Sequence, residues 1–147
     1  MDYLEDIETA LILVKQRASS FGSFAYDFCD QHFSAVARQN LKEYCDSYGV
    51  YIIRQATTLK IIYIGKAGTV KNDGTFKQQG LFKRLTNERS QKTPANIWFK
   101  GLLDKYGSLQ IDYFILEKSF CPAFAEAILL QTYLNENGFL PEKNEAL

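Results

Sequence analysis

Two tripeptides near the middle of the chain carry tyrosines that could act on one substrate. They are Gly49-Val50-Tyr51 and Tyr63-Ile64-Gly65, and eleven residues separate the two tyrosines. Three charged residues follow them in order: Lys66, Arg84 and Glu126. A carboxylate can hold a hard cation such as Mg²⁺ through its oxygens, and a guanidinium has the planar geometry that suits a phosphate. Groups of these types are suited to chemistry on a phosphate ester.

The arrangement resembles the GIY-YIG endonucleases, with Val50 in place of the isoleucine. The similarity covers about 100 residues, and its elements come in the family's order. They are the two tripeptides, Lys66, Arg84, Glu126, Pro141 and Asn144. The resemblance implies a nuclease domain over 48–147, most like a small stand-alone type II restriction enzyme. Such an enzyme hydrolyses DNA to 5′-phosphate and 3′-hydroxyl ends with Mg²⁺, for which Mn²⁺ can substitute.

The resemblance also implies a role for each residue. Glu126 is expected to be the metal ligand near the leaving 3′-oxygen, and Arg84 is expected to hold the phosphate. Tyr51 is the expected general base. A free phenol has a pKa near 10, so this role requires nearby positive charge, from Lys66 or from the metal. Tyr63 is expected to position the water or the phosphate.

The sequence departs from the family pattern in two places. Many members have His or Tyr one helical turn after the arginine, whereas this chain has Glu88. Glu88 could pair with Arg84 at i,i+4, or it could act as the base or as a second metal ligand. The 18 residues between Gly65 and Arg84 form a longer segment than in minimal members, and we expect a flexible loop there. The residues predicted to contact nucleic acid are Lys71, Thr75, Lys77, Gln78, Gln79, Lys83, Arg89 and Asn144.

Charge is unevenly distributed along the 147-residue chain, although the net charge is zero. Residues 54–105 hold 11 basic and 3 acidic side chains, which fits a nucleic-acid partner or a solvated basic surface. Three widely spaced cysteines without a CxxC pair argue against a disulfide framework and a cysteine zinc site. The lack of a long apolar run and the acidic first residues predict a cytoplasmic protein without a membrane partner.

The elements that must position these groups follow from apolar periodicity. We expect an α/β (α+β) fold, a small three-stranded antiparallel or mixed sheet flanked by helices. Residues 1–47 are expected to be a helical extension with helices over 3–20 and 24–46, serving as a cap, a dimer interface or a DNA-clamp arm. In the nuclease domain, strands are predicted over 50–54, 60–65 and 109–117, and helices over 81–90, 95–106 and 122–138. Trp98 and Phe99 are read as core residues, and His32 as structural or surface-exposed.

Several functions remain open from the sequence. Cutting both DNA strands with one site per chain favours a homodimer. A structure-specific repair nickase acting as a monomer is one alternative, and an RNA-directed nuclease is another. A third alternative is a nucleic-acid-binding module that has the fold without the activity.

Overall fold

The chain folds around one antiparallel sheet with helices on both faces, and the computed structural model describes residues 4–77, 79–89 and 92–147. The sheet has four strands in the order β1-β4-β2-β3, so β1 and β3 are its edges. The strands are β1 (Ser20–Tyr26), β2 (Gly49–Gln55), β3 (Ile61–Ala67) and β4 (Leu109–Ile115). The helices are α1 (Ile7–Arg17), α2 (Phe33–Leu41), α3 (Leu81–Leu85), α4 (Ala95–Tyr106) and α5 (Pro122–Asn137).

The central strand β2 is buried along all but its last residue, because helices cover both sides of the sheet. Val50 and Ile52 pack against α1 and α5 on one face. Tyr51 and Ile53 pack against α2, α3 and α4 on the other face, where the rings of Phe33 and Phe99 stack. Continuous burial of a strand is what a sheet enclosed between two helical layers requires.

The sheet has one more strand than the three predicted, and the extra strand lies in the N-terminal extension. Helix 24–46 was predicted there, but residues 20–26 form β1 and pair with β4 over their whole length. The inward residues alternate, with Phe24 and Tyr26 buried and Ala25 between them exposed. Those aromatics fit a period of two as well as a helical period, and burial against β4 and α2 decides in favour of the strand. Helix α2 is correspondingly shorter than predicted.

Helices α4 and α5 begin and end at the prolines and glycines that predicted their bounds. Helix α4 follows Pro94 and ends before Gly107, and α5 has Pro122 in its first turn. Gly138 ends α5 in the left-handed conformation (φ 84°), which glycine adopts without steric cost. No helix in the described part of the chain is both long and apolar enough to cross a bilayer.

Helix α3 is the exception, since it ends at Leu85 rather than near residue 90. The hydroxyl of Thr86 donates to the carbonyl of Phe82 at 2.7 Å, and the Arg89 Nη2 atom donates to the carbonyl of Leu85 at 2.8 Å. These side chains satisfy carbonyls that a continuing helix would use. Glu88 therefore does not lie one helical turn beyond Arg84, and these two described residues form no ion pair.

Candidate active site

The two tyrosine tripeptides lie side by side on β2 and β3. Tyr51 pairs with Gly65, and Ile53 pairs with Tyr63. Tyr63 lies on the same face as Tyr51, because its partner Ile53 is two residues from Tyr51 in β2. A register shift between Ile53 and Arg54 leaves Ile62 as an extra residue next to Tyr63. The two tyrosine rings are 6.0 Å apart between centroids. The two tyrosines therefore lie next to each other on one face of the sheet.

Close packing explains why both tripeptides contain glycine. A Cβ atom on Gly65 would lie 2.5 Å from the Tyr51 ring and 2.7 Å from the Tyr63 ring. A Cβ atom on Gly49 would overlap the backbone carbonyl of Phe114 in β4. Both glycines therefore allow neighbouring groups to approach closely, and both tyrosine rings pack against the backbone of Gly65.

Tyr51 is fully buried, and its hydroxyl contacts Arg89. Arg89 Nη1 donates to Tyr51 Oη at 3.1 Å, while Nη2 caps the end of α3. The guanidinium also lies over Trp98, 4.8 Å from the ring centroid. Arg89 is one of the residues predicted to contact nucleic acid, but in this structure its guanidinium holds together Tyr51, α3 and α4. Arginine side chains near a helix C-terminus often hydrogen-bond the last carbonyls, and this preference is the sequence feature that could have predicted the position of Arg89.

Lys66 lies on the opposite face of β3 from the tyrosines. Its Nζ donates to Thr69 Oγ1 at 3.2 Å, and its charge acts on Glu126 in the first half of α5. Lys66 was one candidate source of positive charge beside Tyr51. The structure instead places Arg89 at that tyrosine and Lys66 beside the carboxylate.

Glu126 and Arg84 occupy the place where two open clefts meet. One cleft of about 370 Å³ is lined by Tyr63, Glu88 and Trp98 as well as by these two residues. The other, of about 270 Å³, adds Lys66, Lys77 and Gln79. The Arg84 guanidinium is half-buried and makes no hydrogen bond or ion pair within the described residues. It is therefore available for an anion.

Burial raises the pKa of two cleft residues. The pKa of Tyr63 rises to about 12, chiefly because the phenol is desolvated, with the nearby Tyr51 adding to the increase. Arg89 and Arg84 act in the opposite direction. Burial also raises the pKa of Glu126, against the opposing charges of Lys66 and Arg84. Tyr63 is thus a hydrogen-bond donor at neutral pH, and the Glu126 carboxylate would be favoured by an added cation.

Within the inserted segment, residues 69–77 form a short hairpin. The Lys71 and Lys77 amides donate to the carbonyls of Thr75 and Thr69 at 2.7 and 2.9 Å. Its tip is closed by Asp73, whose carboxylate accepts from the Thr75 hydroxyl at 2.7 Å. The hairpin is anchored at its base, where Phe76 stacks on Tyr48 with centroids 4.3 Å apart.

The predicted nucleic-acid contacts are spread over several surfaces. Lys77 and Gln79 line the smaller cleft, whereas Lys71 is exposed on the hairpin. Lys83 points to a separate cleft beside Arg38. Gln78 lies outside the described residues.

Asn144 has a structural position that the sequence did not indicate. Its side chain accepts from the Ile64 amide and donates to the Ile64 carbonyl, both at 2.9 Å. The backbone amide of Lys143 donates to the carbonyl of Ile62 at 3.0 Å. The tail therefore adds to the outer edge of β3 and forms one wall of the larger cleft. Its amide was predicted to contact nucleic acid, and in this structure it pairs with the strand that carries Tyr63.

A metal ion at this site would depend on Glu126. Among the described residues, no group of three or more His, Cys, Asp or Glu side chains could hold a metal ion. Mg²⁺ commonly binds proteins through one or two carboxylates and keeps water and phosphate oxygens as its other ligands. A desolvated carboxylate at the junction of two open clefts fits that mode of binding, and it does not fit a closed, all-protein cage.

Comparisons with protein-family models, with curated proteins and with solved structures each find no match to this chain.

Proposed function

We propose that the chain is a Mg²⁺-dependent DNA endonuclease of the GIY-YIG type, which hydrolyses phosphodiester bonds to leave 5′-phosphate and 3′-hydroxyl ends. One observation carries the proposal: a single carboxylate, Glu126, and an unpaired guanidinium, Arg84, meet where two open clefts join. The tyrosine that lines this junction, Tyr63, belongs to one of the two tripeptides. Phosphodiester hydrolysis needs groups of these types.

Arg84 and Lys66 would hold the scissile phosphate. Both cations act on Glu126, so both lie close to the junction of the clefts. The Arg84 guanidinium can donate two parallel hydrogen bonds to phosphate oxygens, and Lys66 adds a second positive charge near Glu126. Mg²⁺ bound through Glu126 would neutralise charge on the phosphate and on the leaving 3′-oxygen. Tyr63, which stays protonated, would donate a hydrogen bond to a phosphate oxygen or to the attacking water.

Tyr51 is our first candidate for the general base, by resemblance to the family. It is fully buried and lines neither cleft, so this role requires DNA binding to bring the attacking water to its hydroxyl. As the phenolate it would take a proton from that water, whose oxygen then bonds to phosphorus as the P–O3′ bond breaks and the 3′-oxygen takes a proton from solvent. The N–H that Arg89 donates to Tyr51 Oη would stabilise negative charge on that oxygen. Glu88 is the second candidate, because it is exposed and lines the same cleft as Glu126. Comparing Tyr51→Phe with Glu88→Gln separates the two assignments.

DNA is the proposed substrate because cations surround the clefts. Lys77 and Gln79 beside the junction, and Lys71 on the hairpin, can contact phosphates or base edges on either side of the scissile bond. We further propose that cleavage is sequence-specific, as in small type II restriction enzymes. A two-stranded hairpin next to a cutting site suits readout of the major groove.

The proposal is tested by incubating the chain with genomic DNA and Mg²⁺, and then sequencing the new ends. A short shared sequence at the ends is the expected result. Ends without a shared sequence would favour a structure-specific nickase, and cleavage of RNA alone would identify an RNA-directed nuclease. If the chain binds DNA but leaves it uncut with Mg²⁺ or Mn²⁺, it is a binding module and the enzymatic proposal fails.

A further inference from the structure

One edge strand of the sheet, β3, is covered by the C-terminal tail, whereas the other edge strand, β1, is not covered by another segment of the described chain. The tail covers β3, where Lys143 and Asn144 make three hydrogen bonds to its outer backbone. At the other edge, β1 pairs with β4 on its inner side only. No hydrogen bond from another part of the described chain reaches the outer backbone groups of residues 20–26. An unpaired edge of this kind is a template for another strand.

Strand β1 also lacks the features that usually prevent such pairing. Its sequence is Ser-Phe-Gly-Ser-Phe-Ala-Tyr, with no charged residue and no proline. Its register with β4 runs through all seven residues without a bulge. Charges, prolines, bulges and very short lengths are the means by which natural proteins block edge-to-edge association. Their absence leaves this edge open to pairing.

The residue order of β1 suits pairing with a second copy of the same strand. Antiparallel pairing about a twofold axis at Ser23 sets Phe21 opposite Ala25 and Gly22 opposite Phe24. Ser20 would face Tyr26. Every aromatic residue is then opposite a small one, and no charge faces a like charge. Cross-strand pairs of this kind favour a register.

We propose that two copies of this chain associate through their β1 strands, with Ser23 at the twofold axis, to form one eight-stranded sheet. Such an interface is isologous, since each copy contributes the same surface. Phe21 is 52% exposed in the single chain and borders a shallow cleft that also includes Lys15 and Phe114. In the dimer, Phe21 of each copy packs beside Ala25 of the other copy and loses much of that exposure.

The dimer leaves both catalytic clefts open. These clefts lie at the β3 edge, and β1 is at the opposite edge of the sheet. With a spacing of about 4.8 Å between strands, the two β3 strands of the dimer lie roughly 34 Å apart. Neither site needs a residue from the other copy, so association can be measured without DNA, metal or activity.

Sedimentation equilibrium of the full chain over a range of concentrations tests the interface. We expect a reversible monomer–dimer equilibrium for the wild type. Ser23→Lys and Ser23→Glu each place like charges face to face at the axis, and each should raise the dimer dissociation constant about tenfold or more. An equimolar mixture of these two variants should restore dimers. Ser119→Lys, which adds the same charge at an exposed serine outside the sheet, should dimerise as the wild type does.

Three results would overturn the interface. They are a wild type that stays monomeric at high concentration, a dimer unaffected by both Ser23 variants, and a mixture that forms no more dimer than either variant alone. If the variants fail to fold, amide hydrogen exchange on the wild type decides the question. The amides of residues 20–26 should then exchange more slowly as protein concentration rises, and exchange independent of concentration would contradict the proposal.

Discussion

Replacing Arg89 with methionine should destabilise the fold mainly through Tyr51. The substitution removes the N–H donated to Tyr51 Oη at 3.1 Å, the cap on Leu85 and the cation over Trp98. Tyr51 is fully buried, so water cannot replace the lost donor at its hydroxyl. A hydrogen bond from a charged group contributes about 1.5–3 kcal/mol, and a cation–π contact about 0.5–2 kcal/mol. We expect Arg89→Met to lower the free energy of unfolding by about 2–4 kcal/mol.

A double-mutant cycle with Tyr51→Phe isolates the contact between the two side chains. In the Tyr51→Phe background, Arg89→Met should cost about 1–2 kcal/mol less than in the wild type, because the acceptor is already absent. Urea unfolding followed by far-ultraviolet circular dichroism measures all four proteins. Lys83→Met is the matched control, since Lys83 is an exposed cation on α3, and it should change stability by less than about 0.5 kcal/mol. A coupling energy near zero would refute the assignment of Arg89 as the group that holds Tyr51.

Three further predictions concern Gly65, Glu126 and Asn144. Gly65→Ala should lower the free energy of unfolding by about 1–3 kcal/mol, because the added methyl group would overlap the two tyrosine rings. Gly101→Ala on α4 is the control and should cause no such loss, since the space around Gly101 is open. Equal effects of the two substitutions in urea unfolding would contradict overpacking at Gly65. Because burial raises the pKa of Glu126 above 4.5, its carboxylate costs stability at neutral pH, and this cost disappears below about pH 4.5. Glu126→Gln should therefore be more stable than the wild type at pH 7 and equally stable at pH 4. A thermal melting series in which this difference does not shrink from pH 7 to pH 4 would count against a buried carboxylate. Asn144→Ala should speed amide exchange at Ile64 by about tenfold, and an unchanged rate would show that the tail does not hold this edge.

The sequence was most informative where several local signals agreed. Helix α4 was predicted with its observed bounds, because Pro94 and Gly107 mark its ends and its apolar spacing is helical. Strands β2 and β3 followed from β-branched and aromatic residues on either side of a polar turn. Local preference and tertiary packing point to the same structure in these segments, which is why a single sequence suffices there.

Long-range packing determined the rest. Strand β1 exists because Phe24 and Tyr26 are buried against α2 and β4, and residues far along the chain provide that burial. Helix α3 ends at Leu85, where the Arg89 side chain donates a hydrogen bond to the Leu85 carbonyl. The same guanidinium donates to the Tyr51 hydroxyl, so Arg89 is the cation beside Tyr51. The edge role of Asn144 depends on a strand 80 positions earlier in the chain. No local periodicity encodes such contacts.

Cleavage of supercoiled plasmid DNA by wild type and Glu126→Gln, with enzyme in excess over DNA, tests whether the chain cuts DNA through a metal ion bound at Glu126. We expect nicked or linear product with Mg²⁺, no product with a chelator, and a rate at least about a hundredfold lower for Glu126→Gln. Because that variant should be at least as stable as the wild type at neutral pH, unfolding would not explain its loss of activity. Equal rates for the two proteins, or a wild type that cuts equally well with the chelator, would contradict a site that acts through a single metal-binding carboxylate.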